Sequence, residues 1–278
     1  MSTTFYLVDP YDELKLNPSH NSRSFDLSDL NPDLSGSKSK KDLESDLDAI
    51  LSNLADLHYK LYAENKRSVL VILQGVDAAG KDGTIRQVMR GLNPQSCNIK
   101  SFKKPNDEEL SHDYLWRIHN SMPSYGHVGI FNRSHYEDLV EPAIIGSLPK
   151  KIFKNRIRQV NYFERYLSEN NVTIVKLFLY ISKDEQKKRI LQRIHDPKKN
   201  WKFSEADLIG HKNWQKYMQL YSNILNQTNK KWAPWFVIPA NVKYFRNWAV
   251  SSILLRIFET INPQFPNISI DPDNYMFE

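Results

Sequence analysis

A glycine-rich segment with one lysine is the part of the chain best suited to chemistry. It reads GVDAAGKDG, follows the apolar run SVLVILQ, and matches G-x-x-x-x-G-K in the order strand, loop, helix. Glycines let backbone N–H groups converge on phosphate oxygens, a helix start adds its positive dipole end, and the lysine neutralises transferring phosphate. This context favours a phosphate-binding loop over a glycine-rich turn without a ligand. The residues predicted to bind phosphate here are Gly75, Ala78, Ala79, Gly80, Lys81, Asp82, Gly83 and Thr84.

Two acidic residues distinguish this loop from the usual pattern. Asp82 stands where a Ser or Thr normally offers a hydroxyl to magnesium. Asp77 lies inside the loop, where it would repel phosphate unless a metal ion or a proton-bearing nucleophile faced it. We therefore predict that Asp77 handles a metal or orients the acceptor, with a cap on the loop backbone as the alternative.

A second polar block, NRSHYED, follows the apolar run Val128–Phe131. Ligands bind at the carboxyl ends of parallel strands, and in P-loop proteins such a strand end brings a carboxylate to Mg²⁺. Asn132 is neutral and a weaker metal ligand, so Glu137 is expected to supply the charge. Arg133 is expected to face phosphate. The intervening His and Tyr can equally be packing residues.

A basic segment from Lys183 to Lys202 carries eight Lys or Arg residues against three acids, whereas residues 1–60 carry eleven acids against six bases. Helical spacing places two of its arginines on one face. Nucleotide kinases close such a segment over the transferring phosphates and exclude water; the alternative is a solvated helix face. Trp201 and Phe203 either stack on a base or hold the segment in place. Its predicted phosphate ligands are Arg189, Arg193, Lys198, Lys199 and Lys202.

Alternating strands and helices must position these residues. Continuous apolar runs predict buried strands at Ser68–Gln74, 128–131, 172–181 and 235–238. Helical stretches are predicted at 41–66, 107–121, 150–168 and 244–261. The leucine stripe of the first helix is either core or an oligomer contact. Strand and helix in alternation predict an α/β fold, a parallel sheet with helices on both faces.

Composition limits the function classes. With 278 residues, 40% hydrophobic and 25% charged, the chain suits one large globular domain. No apolar run reaches the roughly 18 residues of a spanning helix, and the N-terminal residues lack a secretion signal. A single cysteine excludes a disulfide framework and predicts a cytoplasmic protein. The net charge of +6, concentrated in the middle of the chain, suits a polyanion.

Four ordered blocks resemble the polyphosphate kinase 2 family over roughly residues 40–262: GVDAAGKDG, GIFNRSHYED, RILQRIHDPKKNWKFSEADL and APWFVIPANVKYFRNWAVSSIL. The resemblance implies a P-loop kinase-like α/β/α sandwich with a helical lid at about 183–215. It also implies phosphate transfer between inorganic polyphosphate and nucleotides with Mg²⁺, or Mn²⁺ as a substitute. The residues it implies are catalytic Asp77, Lys81, Arg133 and Arg189, phosphate-binding Arg193, and metal-binding Asp77 and Glu137.

The chain is accordingly divided into an irregular leader (1–40), a kinase domain (41–262) and a C-terminal tail (263–278). The expected partners are polyphosphate, adenine or guanine nucleotides (AMP, ADP, GMP or GDP), and further copies of the chain in a dimer or tetramer. Neither nucleic acid nor a membrane is expected. Two alternatives are an ATP-dependent nucleoside monophosphate kinase, which Asp82 disfavours, and a non-catalytic polyanion-binding module, which only the basic segment supports.

Overall fold

A computed structural model describes residues 9–16, 25–36 and 38–269, and within these ranges five parallel strands form one sheet. The strands lie in the order β2-β3-β1-β4-β5, so β1 is central and pairs with β3 and β4. All seven residues of β1 are buried, which explains its uninterrupted apolar run. Their bounds are β1 Ser68–Gln74, β2 Cys97–Ser101, β3 Val128–Asn132, β4 Val172–Tyr180 and β5 Trp235–Pro239.

Helices cover both faces of this sheet. One group, α2, α3 and α11, packs together on one face, and α6, α7 and α10 pack together on the other. This arrangement confirms the predicted α/β/α sandwich. The bounds in the described ranges are α1 Pro10–Glu13, α2 Lys40–Glu64, α3 Lys81–Val88, α4 Asp107–Leu110, α5 Trp116–His119, α6 Glu137–Ile144, α7 Lys150–Glu169, α8 Lys183–His195, α9 Glu205–Lys212, α10 Trp214–Thr228 and α11 Lys243–Ile261.

Helix α2 shows how local signals and packing agree. Ser39 and Asp42 form a capping box at its start, and Asn65 ends it in the left-handed conformation. Its leucine stripe is buried against α11. The stripe therefore belongs to the core of this chain, which decides between the two readings of the sequence.

Two sequence expectations about the elements were wrong. Strand β2 was missed because it is an edge strand with mostly exposed residues, so no apolar run marks it. The single helix expected at 107–121 is two one-turn helices, α4 and α5. The Asp113 side chain accepts a hydrogen bond from Leu115 N at 3.0 Å and so competes with a continuous helix at the break.

The described part of the leader packs on the body of the protein. Leu14 and Leu27 are buried in the main core. The backbone N–H of Leu16 donates to Trp235 O at 2.8 Å, and that of Val237 donates to Leu14 O at 2.9 Å, which extends the β5 edge of the sheet. Residues 1–8, 17–24, 37 and 270–278 of the predicted leader and tail lie outside the described ranges. No helix in the described ranges has the length and apolarity needed to cross a membrane.

Candidate active site

The phosphate loop joins β1 to α3 in a conformation that requires glycine twice. Gly75 has φ +147°, and a Cβ there would lie 2.7 Å from Leu179 O. Gly80 has φ +105°, and a Cβ there would overlap the Arg246 guanidinium. Ala78 also has a positive φ of 64°, a strained value for a residue with a side chain. The loop is therefore fixed tightly between its neighbours, as preorganised anion binding needs.

Lys81 is the first residue of α3 and is 8% exposed. Its Nζ donates to Gly75 O at 2.7 Å and to Val76 O at 3.2 Å, so the ammonium group lies over the loop backbone. Burial, aided by the nearby Arg133, lowers the Lys81 pKa to about 8, although Asp77 and Glu137 act against this shift. A phosphate anion beside this lysine would stabilise its charged form.

Arg133 joins the two predicted metal carboxylates. Its Nη2 donates to Asp77 Oδ1 at 2.5 Å and its Nη1 donates to Glu137 Oε2 at 3.1 Å. The side chain of Asp77 therefore pairs with Arg133. The alternative prediction was that this side chain caps the backbone of the loop. Arg133 itself has φ 64°, so the turn after β3 is strained where the guanidinium enters the site.

The two carboxylates have opposite pKa shifts. Burial acts to raise the pKa of Asp77, but Arg133, Lys81 and Arg193 outweigh it and hold the pKa below its usual value. Burial raises the pKa of Glu137 even though Arg133 and Lys81 oppose the change. Asp77 is the more firmly ionised group. Glu137 is the group whose charge depends on what binds nearby.

The carboxylate oxygens of Asp77 and Glu137 are suitable ligands for a magnesium ion that also binds substrate phosphates. Both side chains line one small cavity together with Arg133 and Glu141. Mg²⁺ commonly takes one or two protein carboxylates, with phosphate oxygens and water completing its shell. Within the described residues no cluster of three or more His, Cys, Asp or Glu suited to a metal was found. The donor set therefore fits a substrate-bound ion better than an all-protein cage.

Asn132 has a partner that the sequence did not reveal. Its Nδ2 donates to Asp82 Oδ1 at 3.0 Å, and Lys202 Nζ lies 3.4 Å from Asp82 Oδ2. Burial opposes ionisation of Asp82, but these two contacts and Lys81 lower its pKa. Asp82 thus connects the phosphate loop to the end of β3 and to the basic segment.

The two arginines predicted on one face of α8 have different surroundings. Arg189 is buried, and its Nη1 and Nη2 donate to the carbonyls of Ala78, Ala79, Ala240 and Asn241 at 2.7–3.0 Å. It therefore supports the loop backbone, and a direct contact with phosphate stays a prediction. Arg193 lines the main cleft and pairs with Asp207 at 2.9 and 3.1 Å.

The main cleft is open, measures about 760 Å³, and lies over the phosphate loop. Lys202 and Trp201 line it; Trp201 is 77% exposed, and its Nε1 donates to Lys198 O.

Several residues predicted to bind phosphate do not line this main cleft. Thr84 is fully buried, and Lys198 and Lys199 lie on an outer turn where Lys199 pairs with Asp196. The lining includes two lysines that sequence reasoning missed, Lys103 and Lys104, because they follow the unrecognised β2.

His135 and Tyr136 are structural. Both are buried, and both contact Glu164, with Tyr136 Oη donating at 2.7 Å and His135 Nε2 lying 3.3 Å away. Lys176 Nζ donates to Glu164 Oε2 at 2.7 Å and to Tyr136 Oη at 3.0 Å. This buried network, Lys176–Glu164–Tyr136–His135, lies directly beneath the turn that carries Arg133 and Glu137.

Comparison with known proteins agrees with this geometry. The chain is 45% identical over 213 residues to the AMP/ADP-polyphosphate phosphotransferase of Meiothermus ruber, covering 77% of this chain and 80% of that protein. It is 42% identical over 228 residues to the ADP-polyphosphate phosphotransferase of Rhodopseudomonas palustris, covering 78% and 79%.

A solved structure is similar over nearly its whole length. The crystal structure of Polyphosphate Kinase 2 from Arthrobacter aurescens TC1 superposes with a TM-score of 0.91 at 37% identity, covering 98% of this chain and 96% of that one. The sequence profile of the family described as Polyphosphate kinase 2 matches residues 37–266, which include the phosphate loop, the turn after β3 and the basic segment. This chain belongs to the polyphosphate kinase 2 family.

Proposed function

We propose that this protein moves phosphate between inorganic polyphosphate and nucleoside mono- and diphosphates, with AMP and ADP as the main nucleotides and GMP and GDP as further candidates. One observation carries the proposal most directly. Lys81 and Arg133 converge on a glycine-rich loop beside the carboxylates Asp77 and Glu137, in a chain of this family. The two phosphotransferases named above act on polyphosphate with AMP or ADP, as their names state.

Phosphoryl transfer needs positioning and charge neutralisation more than covalent help from the protein. The loop N–H groups and Lys81 would hold the phosphoryl group that moves. Arg133 would face its oxygens while remaining fixed by Asp77 and Glu137. Arg193, Lys202 and the lysines after β2 would attract the remaining negative charge in the cleft. The positions of the side chains support these proposed roles.

Magnesium is proposed as the cofactor, with Mn²⁺ as a substitute. Asp77 and Glu137 would hold the ion together with phosphate oxygens, because their side chains line one cavity beside the loop. When bound, the ion would neutralise negative charge on the phosphates. A cytoplasmic location and a dimer or tetramer remain part of this proposal; the single cysteine supports the first of them.

The test is a product analysis with the purified full chain. Protein, Mg²⁺ and long-chain polyphosphate are incubated with AMP, ADP, GMP or GDP in turn, and the nucleotide products are resolved. Parallel reactions replace polyphosphate by ATP as the donor. Formation of ADP or ATP with polyphosphate supports the proposal. Transfer with ATP alone would identify a nucleoside monophosphate kinase, and binding without products would identify a polyanion-binding protein.

Lys81→Ala is the matched inactive variant for this assay. It should lose roughly a hundredfold or more in rate while keeping the fold, because it removes one preorganised cation that faces developing charge. Lys60→Ala, a change on α2 at a residue that lines neither cavity beside the loop, should behave as the parent. A Lys81→Ala rate within a few-fold of the parent would show that this loop does not bind the transferring phosphate.

A further inference from the structure

Arg246 is a buried cation without an anionic partner. It lies in the first turns of α11 and is 3% exposed. Its Nε and Nη2 donate to the amide oxygen of the adjacent Asn247 at 3.2 and 2.8 Å. No carboxylate in the described part of the chain forms an ion pair with it, and its Nη1 has no hydrogen-bond acceptor there. An unpaired buried guanidinium is costly, so this arrangement needs an explanation from its surroundings.

The phosphate loop provides that explanation. The Arg246 Nη1 lies directly against Gly80, and its Nη2 would be 3.4 Å from a Cβ on Gly83. Both glycines line the main cleft and belong to the first turn of the loop helix. The free donors of Arg246 are thus placed at the edge of an anion-binding loop, on the α11 side.

Further positive charge surrounds Arg246. Arg189 is close enough to lower its pKa to about 10, a shift for which burial is the larger cause. Lys243, one turn earlier on α11, is exposed; burial is again the main cause of its lowered pKa, and Arg189 and Arg246 add to the shift. Glu185, the one acid that counters this shift, already pairs with Arg189 at 2.7 Å. The group carries more positive charge than its protein neighbours neutralise.

A separate groove lies beside Lys243. It measures about 620 Å³, and Arg246 is not part of its lining. The lining includes Lys40, Lys188, Lys243 and Asn247 together with the acids Asp33, Glu44 and Glu185. Lys243 and Asn247 are four residues apart on α11 and so share one face of the helix. A linear polyanion that leaves the phosphate loop past Gly80 and Gly83 would meet Arg246 first and Lys243 next.

We propose that Arg246 and Lys243 bind phosphate units of the polyphosphate chain that are not themselves transferred, on the α11 side of the phosphate loop. Arginine suits this task because its planar guanidinium can donate two parallel hydrogen bonds to phosphate oxygens. The site rests on the proposed function for its substrate, and it assigns polyphosphate and nucleotide to opposite sides of the loop. The cleft lined by Lys103, Lys104 and Trp201 is then left for the nucleotide.

The test compares chain lengths. Initial rates are measured for Arg246→Gln, Lys243→Gln and the control Lys60→Gln on α2 at saturating ADP and Mg²⁺, with long-chain polyphosphate or tripolyphosphate varied. Loss of a charged hydrogen-bond donor should raise the KM for long-chain polyphosphate about tenfold in Arg246→Gln. Lys243→Gln should raise it less, and should leave the KM for tripolyphosphate close to that of the parent. In a second series, with ADP varied at saturating long-chain polyphosphate, the KM for ADP should stay the same in all three variants.

Two results would overturn this site. One is a parental KM for long-chain polyphosphate in both variants. The other is an Arg246→Gln enzyme with a lower kcat at every chain length and an unchanged KM, which would make Arg246 a support of the loop. If Arg246→Gln does not fold, Lys243→Gln alone decides, because that side chain is exposed. Calorimetric titration of tripolyphosphate and long-chain polyphosphate without nucleotide separates this binding site from the proposed function. If the parent shows no transfer but the variants bind long chains more weakly than the parent does, the proposed function fails and the binding site stands.

Discussion

Arg133 contacts two carboxylates with one guanidinium, and these carboxylates respond to it differently. Asp77 lies among three cations and stays ionised, whereas burial makes ionisation of Glu137 harder. A metal ion arriving with phosphate would change this balance most at Glu137. Two predictions concern single residues of this site, Lys81 and Glu137.

The first test is the pH dependence of Lys81. Its pKa of about 8 in the free protein means that the ammonium is lost as pH rises through that value. The value of kcat/KM reports the free enzyme, so it should fall above about pH 8. Bound phosphate stabilises the charged form, so kcat should fall only at higher pH. Initial rates between pH 6.5 and 10 test this, and two coincident falling limbs would contradict it.

The second test is a magnesium titration of Glu137→Gln, which removes the charge and keeps the size. This variant should lose most activity and need more Mg²⁺ for what remains, because Asp77 alone leaves the site short of negative charge. Glu141→Gln is the control, since Glu141 lines the same cavity but accepts a hydrogen bond from Tyr217 Oη.

Glu137 is also the first residue of α6, where a carboxylate favours the helix dipole by about 0.3–1 kcal/mol. If that is its whole role, Glu137→Gln will lower the melting temperature slightly and keep the parental rate and magnesium requirement. The two roles are thus separated by one titration and one melting curve.

At this scale the sequence marks a residue where chemistry and chain order coincide. The loop lysine and the polar block after β3 are each marked by a neighbouring apolar strand. The Asn132–Asp82 hydrogen bond joins residues 50 positions apart, and the contact of Arg246 with Gly80 joins even more distant ones. No spacing in the sequence marks such pairs, because only the folded sheet brings them together.

At the scale of elements, α8 follows β4, forms the first part of the basic segment and fixes the phosphate loop from the side. Arg189 reaches four backbone carbonyls from two different loops. The predicted lid therefore begins with a helix that is firmly attached to the body. Any closing motion would involve the part after Arg193, where Lys202 touches Asp82.

Arg189→Lys tests this supporting role. One ammonium cannot reach both pairs of carbonyls, so the free energy of unfolding should fall by about 2–3 kcal/mol and kcat should fall with it. The KM for polyphosphate should change little. Urea unfolding and initial rates measure both effects, with the exposed Lys188→Arg as the control. A raised KM with parental stability would mean that Arg189 binds phosphate directly.

Buried strands were predictable at this scale, since β1, β3, β4 and β5 each show a continuous apolar run. The edge strand β2 has no such run because most of its residues are exposed to solvent. The break between α4 and α5 depends on a side-chain hydrogen bond that competes with helix geometry. The apolar pattern of a sequence reflects burial, so it does not mark elements whose residues are mostly exposed.

For the whole molecule, the buried network Lys176–Glu164–Tyr136–His135 joins the sheet to the helices beneath the site. Lys176 also donates to Thr228 O at 2.8 Å, so all three of its hydrogens are used. Burial acts to raise the pKa of Glu164, but Lys176 and His135 outweigh it. Burial lowers the pKa of Lys176 and Glu164 opposes this shift, so each group of the pair depends on the other for its charge.

Removing one charge of the Lys176–Glu164 pair should lower the free energy of unfolding far more than removing both charges. Lys176→Met leaves a buried carboxylate without its cation and should cost about 3–5 kcal/mol of unfolding free energy. The double variant Lys176→Met, Glu164→Gln removes both charges and should recover a substantial part. Urea unfolding curves of parent, single and double variants measure this. Equal destabilisation in the single and double variants would mean that the pair is not coupled.

Helix α2 lies near the start of the described chain and packs against α11, which ends at Ile261. During synthesis on a ribosome, the leucine stripe of α2 therefore waits for its partner α11, which begins about 180 residues after α2 ends. The central strand β1 also waits for one of its neighbours, because β4 comes about a hundred residues after β1. A growing chain of this protein thus exposes apolar surface until these partners have been synthesised, and we expect it to need chaperone protection during that interval.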